Sequence, residues 1–315
     1  MTSLIARLAR LVAVVVAVTF LSYSMVSLLP GDVVLAVLGQ NSTEADRVEA
    51  RRELRLDDPL PVRYGNWVAD AVSGDLGRSY RTGQPVSEAI SQRIGLTIEL
   101  VLLSQLIALA IAIPTAVFAA LRPRSLIDKV LSGVQLALLA TPSYLVAIVL
   151  MAVFAVKLGW FDTTGFVRFT DDPLGNLKSL FLPSIALGLE QVAAYARVLR
   201  SDLVTTFDQD FIWYARAKGN STSRIVLHHA LRPSSIGLIT LTGISIGRLI
   251  GGTVLVESIF ALPGLGRYTI DAINNRDFIA VQGAVIVLTV GFVVVNFVVD
   301  ALHSLLDPRI RRATY

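Results

Sequence analysis

Six apolar runs, each near the roughly 20 residues that carry a helix across a bilayer core, constrain this chain more than any other feature. They cover residues 11–29, 96–121, 130–156, 181–198, 236–259 and 278–302. Lipid offers the backbone no hydrogen-bond partners, so each run is predicted to be helical. Composition agrees: 54% of the residues are hydrophobic and 17% charged, against about 25% charged in a soluble domain. The fourth run is the weakest, because Glu190 and Gln191 interrupt it. The expected fold class is an all-α polytopic membrane protein with six transmembrane helices, one transmembrane domain over residues 1–315. The first run exceeds the roughly 7–15-residue core of a secretory signal, and no small-residue cleavage pattern follows. It is expected to remain as the first helix.

Lysine and arginine orient the spans. With the N-terminus inside, inner segments hold 14 of them and the short outer loops five. Both termini are therefore expected in the cytoplasm. The first outer loop, residues 30–95, holds eight arginines but is long for this rule. Its stretch STEADRVEARRELRL pairs Thr43 with Asp46 in a capping-box arrangement before helical spacing. LPVRYGNWVADAV reads as a short amphipathic helix, and PVSEAISQRI as another just before the second span. The loop is expected to form a small helical cap. Pro114 and Pro142 should bend the second and third spans, freeing the carbonyls of Ala110 and Leu138.

Several chemistries are excluded. The chain has no cysteine, so thiolate metal sites and disulfides are out. Its four lysines follow Asp128, Val156, Leu177 and Ala217, whereas a P-loop needs glycine before its lysine. ATP is therefore not expected to bind this chain. His228 and His229 are adjacent and point to different helix faces, which disfavours a two-histidine metal site; no metal or other cofactor is expected. GISIG, residues 243–247, matches the nucleophile pattern around Ser245. It lies in an apolar helix, where Gly243, Gly247 and Gly251 at spacing four read better as a close-packing face. An intramembrane serine hydrolase using Ser245 is the minor alternative, and a partner-binding scaffold a further one. Ionisable residues inside spans suggest function by default. Glu190, Arg248 and Glu257 are the candidates for a translocation path or gate, with an Arg248–Glu190 ion pair as the structural alternative. Glu99 and Asp300 lie near span ends and read as interfacial.

The most concentrated basic loop is DFIWYARAKGNSTSRIVLHHALRP, residues 210–233. Asp208 or Asp210 is placed to cap a short helix that Lys218 and Gly219 end. Ser221 or Ser223 is placed to cap a second helix. The loop thus encodes a helix–turn–helix elbow, and Phe211, Ile212 and Tyr214 give it apolar knobs suited to docking.

These residues resemble a known family. DFIWYARAKG followed by HALRP is similar to the cytoplasmic EAA-type loop of ABC importer permeases in the dipeptide/oligopeptide/nickel branch. SLLPGD (27–32), LDDPLPVRY (56–64), GDLGRS (74–79), TGQPVSEAI (82–90), LPSIALGL (182–189), ARVLRSDL (196–203), GRLIGGTVLVESIFALPGLGRY (247–268) and LDPRIR (306–311) extend the resemblance over nearly the whole chain. It looks like the B-type subunit. Trp213 stands where the general pattern has Glu, Pro233 where the branch has a polar or small residue, and Gly237 where it often has Pro. The second elbow helix is therefore expected to bend four residues early. The resemblance implies a type I ABC importer fold in a bacterial plasma (inner) membrane. It implies a similar second permease, two cytoplasmic ATPases that carry ATP and Mg, and an extracytoplasmic solute-binding protein received by the cap. It implies peptide as substrate, with nickel, heme or glutathione-like cargo as alternatives. The coupling loop would span residues 199–235, with Phe211, Tyr214, Ala215, Lys218, Gly219 and Ser221 meeting an ATPase.

Overall fold

The computed structural model describes residues 2–27, 34, 43–53 and 55–306. The described residues are overwhelmingly helical, and among them the sole β pairing is an isolated bridge between Arg78 and Pro85. Four helices are long and apolar enough to cross a membrane: Val86–Leu121, Pro173–Phe207, Thr222–Ile259 and Phe278–Val299. The pair Leu126–Ala140 and Ser143–Lys157 makes a fifth if counted as one broken span. The first run lies in helix α1, Thr2–Ser27, whose 26 residues span about 39 Å. SLLPGD beyond Ser27 and LDPRIR beyond Leu306 lie outside the described residues, as do the side chains of Asp46 and Asp300.

The chain divides into two compact units, residues 1–97 with 263–294, and residues 98–262 with 295–315. In the first unit, α2 (Glu44–Glu53) and α3 (Leu60–Val72) are helical, as expected of these segments. Helix α3 matches the predicted amphipathic segment and packs its aromatic face on α1. Tyr64 lies edge-on to Phe20 at 5.1 Å, Tyr23 lies 5.5 Å from Trp67, and the Tyr64 hydroxyl meets Thr19 Oγ1 at 2.7 Å. PVSEAISQRI does not form a separate helix. It is the first part of α4, Val86–Leu121, an uninterrupted 36-residue helix. Its polar residues hid this continuity, yet Val86 and Ile90 are buried with Leu265, Ala272, Ala280 and Ala284. Ser79 ties the loop before α4 to the start of the last helix: its hydroxyl donates to Asp277 Oδ2 and accepts the Thr82 amide at 3.0 Å.

The second unit is built round α7, Pro173–Phe207, the most enclosed of the spans. Small residues let α4 approach it. Ser104, Ala108, Ala112, Ala116 and Ala120 recur every four residues and are almost wholly buried. A Cβ on Gly188 would stand 2.9 Å from the Ser104 carbonyl oxygen. That spacing of four is the small-residue signal for close helix contact, and it was readable from the sequence. The break expected at Pro142 is present: α5 (Leu126–Ala140) and α6 (Ser143–Leu150, continued by a wider π turn, Met151–Lys157) meet at 102°. The Leu138 carbonyl that Pro142 cannot satisfy accepts the Thr141 amide at 3.2 Å instead. At Pro114 the helix runs on without a break.

Candidate functional site

Helix α7 ends at Phe207, and an elbow follows at once. Helix α8 spans Asp210–Ala217. Its N-cap is Gln209, without a side-chain cap bond, so neither Asp208 nor Asp210 caps it as expected. Asp210 lies instead in the first turn, where a carboxylate still opposes the helix dipole. The end is as predicted. Lys218 occupies the C-cap, and Gly219 adopts φ +77°, the left-handed region that glycine enters without a Cβ penalty. The Gly219 amide donates to Arg216 and the Asn220 amide to Ala215, at 2.9 and 3.3 Å. Asn220 Nδ2 adds a second bond to the Ala215 carbonyl at 3.0 Å.

Ser221 caps the next helix by accepting the Arg224 amide at 3.4 Å. Sequence reading expected a short helix bent near Pro233. The structure has one long helical run instead, Thr222–Ile259, labelled here α9 for Thr222–Arg224 and α10 for Leu231–Ile259. A π turn, Ile225–Ala230, joins them. Pro233 has no N–H for the carbonyl four residues back, and the widened turn immediately before it is where the helix accommodates that loss.

The elbow is fused to the core. Ile212, Ala215, Ile225, Val226 and Ala230 pack with Leu199, Leu203, Phe207 and Leu238 in one buried cluster. Ser234 donates to Thr206 Oγ1 at 2.8 Å across the elbow's base. The other side is open: Phe211, Trp213 and Tyr214 are about half or more exposed. Lys218 Nζ lies 4.6 Å above the Tyr214 ring, and the Arg216 guanidinium 5.3 Å above Trp213. Cations over these faces hold large rings in place on a solvated surface. Of the predicted docking set, Phe211, Tyr214, Lys218, Gly219 and Ser221 thus line the open side or its turn, whereas Ala215 is buried beneath them.

The membrane charges are distributed differently. Glu190 and Arg248 are both exposed, and no ion pair joins them among the described residues. Glu190 begins a polar face of α7 that continues through Arg197, Ser201 and Thr205, all exposed and on one side of a 3.6-residue helix. Arg248 shares an exposed face of α10 with Ile244, Gly251 and Leu255. Glu257 is wholly buried. Gly243 and Gly247 are buried; a Cβ at Gly243 would collide with Val299, and one at Gly251 would meet nothing within 4 Å. Ser245 is 2% exposed. Near it the buried phenol of Tyr195 donates to Gln105 Oε1 at 2.7 Å. That bond joins α4 to α7 inside the protein, and Ser245 on α10 is buried as they are.

Sequence reading missed a second junction near the elbow. Arg200 on α7 grips Asp128 at the start of α5 with both arms of its fork, Nε to Oδ1 and Nη2 to Oδ2, each 2.6 Å. Asp128 is already part of a cap: its amide donates to Ser125 Oγ, and its Oδ2 accepts the Arg124 amide at 2.8 Å. Arg124 adopts φ +63° to make that bond, a conformation costing a non-glycine residue about 1–2 kcal/mol.

The sequence as a whole matches known families over both parts of its length. Residues 112–312 match the binding-protein-dependent transport system inner membrane component family, and residues 1–101 its N-terminal family. The chain belongs to this family. It is a permease subunit of an ABC importer, a transport component and not an enzyme. A putative peptide transport system permease protein of Brucella abortus is 40% identical over 312 residues, covering 99% of both chains. The oligopeptide transport system permease AppB of Bacillus subtilis is 34% identical, covering 98% of each. The dipeptide transport system permease DppB of Alkalihalophilus pseudofirmus is 32% identical, covering 97% of the permease and 98% of DppB. The fold is that of ABC importer permeases. A chain of the MetNI methionine ABC transporter superposes with a TM-score of 0.57 at 15% identity, over 70% of this permease and 96% of that chain. A chain of an amino acid ABC transporter gives 0.51 at 16% identity, over 71% and 94%.

Proposed function

We propose that this permease translocates di- or oligopeptides delivered by a solute-binding protein, and that the elbow at residues 208–233 receives motion from a separate ATPase. One observation carries the coupling assignment. The elbow's inner side is continuous with the core cluster at the base of α7, while its outer side presents Phe211 beside Trp213 and Tyr214, the last two held by cations. A force applied to such rings reaches α7 and α10 without a slack joint between. Phe211, Tyr214, Lys218, Gly219 and Ser221 form the contact surface, and Ala215 supports it from below.

Peptide as substrate is supported by the relatives, which are named for peptide, dipeptide and oligopeptide transport. The path runs beside Glu190 and Arg248, whose exposed charges at membrane depth need water or a polar partner; Glu257 marks the gate region. The termini and elbow face the cytoplasm, in keeping with the lysine and arginine bias. A second permease and two ATPases complete the complex, ATP and Mg being held by the ATPases.

The test is uptake of labelled dipeptide by proteoliposomes holding the full complex and the binding protein. Gly219→Pro removes the amide bond to Arg216 and forbids φ +77°. ATP hydrolysis should persist while uptake per ATP collapses. Normal uptake per ATP in this variant sinks the coupling assignment. ATP-dependent uptake of nickel or heme, with none of peptide, sinks the substrate assignment.

A further inference from the structure

We propose that the Arg200–Asp128 pair is the joint that hands movement of the elbow to the broken helix pair α5–α6, which makes both residues positioning residues for transport. The inference rests on the elbow's coupling role. Arg200 lies on α7 between Leu199 and Leu203, which belong to the same buried cluster as Ile212 and Ala215. It therefore moves with the elbow. Asp128 lies in the first turn of α5, a rod of 15 residues, about 22 Å long. At its far end the rod meets α6 at 102°, next to Pro142. A rod packed along α7, fixed to it by an ion pair at one end and turned through 102° at the other, is a lever.

The pair is built differently from three others, Arg47–Glu44, Lys178–Asp162 and Arg267–Asp271, which have single contacts of 3.6–3.8 Å between side chains at least 33% exposed. Here both contacts are 2.6 Å and the Asp128 side chain is 6% exposed. Burying such a pair adds little net stability over an apolar pair of equal volume. What a bidentate fork adds is one fixed distance and one fixed angle. The backbone pays for it: Arg124 holds a left-handed conformation that aims its amide at the same carboxylate. Strain kept at a point with so small a stability return suits a mechanical part.

The experiment uses the full complex with its ATPases and the binding protein as isolated. It reads three quantities: ATPase co-purification, the factor by which binding protein stimulates ATP hydrolysis, and labelled dipeptide uptake per ATP. Asp128→Asn keeps the shape and loses the charge. Arg200→Lys keeps the charge and loses the fork. Both should co-purify normally, with the stimulation factor reduced roughly 5–150-fold, the usual span of an allosteric coupling. The exchanged pair Asp128→Arg/Arg200→Asp should recover part of it. A normal stimulation factor in Asp128→Asn overturns the proposal. So does failure of both single variants to assemble with full recovery in the exchanged pair, because the pair is then structural. Gly219→Pro, run alongside, separates the two ideas. If it uncouples while Asp128→Asn does not, only the joint is lost. If it couples normally, the elbow assignment falls first.

Discussion

Replacing Gly219 tests whether backbone conformation, not space, fixes the elbow's turn. A Cβ built there meets nothing within 4 Å, but φ is +77°. Steric volume should therefore cost nothing, and the whole penalty should be conformational. An L-residue in the left-handed region costs about 1–2 kcal/mol, least for asparagine, which enters that region several-fold more often than others, and most for β-branched residues. Asparagine should cost well under 1 kcal/mol, alanine about 1 and valine about 2 or more. One to two kcal/mol is a factor of about 5–30 in a local opening equilibrium. The amides of Gly219 and Asn220 close the end of α8, so hydrogen exchange at residues 219 and 220 reads the opening directly. The expected order of exchange is wild type, Asn, Ala, Val, and uptake per ATP should fall in that order. The reasoning is refuted if exchange follows side-chain size, with alanine slower than asparagine, or if valine leaves it unchanged.

Four further outcomes follow from the packing and the backbone. Tyr195→Phe deprives Gln105 of its hydrogen bond in a buried site; it should lower thermal stability in detergent by about 1–3 kcal/mol, and adding Gln105→Leu should return part of the loss. Gly243→Ala drives a methyl into Val299 and should cost about 1–3 kcal/mol; Val299→Ala should relieve it, read as a recovered melting midpoint. Ala261 holds φ +52° just past the end of α10, so Ala261→Gly should stabilise by roughly 0.5–1 kcal/mol after glycine's extra freedom in the unfolded chain is offset. Ser245→Ala should leave uptake intact, and abolished uptake with a retained fold would revive a catalytic reading of that serine.

Much of the fold was legible because lipid enforces simple rules. Apolar length located four crossing helices and the broken pair, and Pro142 located the break. Gly219 located the turn, since few residues end a helix as it does. The element legible in type but wrong in extent was PVSEAISQRI, whose polar residues look like a surface helix although it continues into a span. Gln209 displaced the aspartates as cap because the chain leaves α7 through a tight turn at Asp208, where φ and ψ are those of a helix and not of a cap. The Arg200–Asp128 pair was invisible for a plainer reason. The residues are 72 positions apart, and each alone reads as an ordinary charge at a span end. The alanine stripe of α4 carried a readable spacing of four, but alanine in an apolar run draws no notice beside the glycines of α10, of which Gly243 is pressed against Val299 while Gly251 meets nothing within 4 Å.

The exposed faces of α7 and α10 also bear on how the protein comes to exist. An arginine or acid facing hydrocarbon at the centre of a helix costs about 2.5–3.5 kcal/mol even on the most lenient insertion scale. With Glu190, Arg197 and Arg248 uncovered, a solitary copy in a bilayer is a half-finished object. Its lifetime should depend on how soon a partner shields those faces, so that membrane proteases act as a proofreading step on subunit stoichiometry. Steady-state levels of this chain made alone, compared with levels when it is made with the proposed second permease, measure that dependence directly.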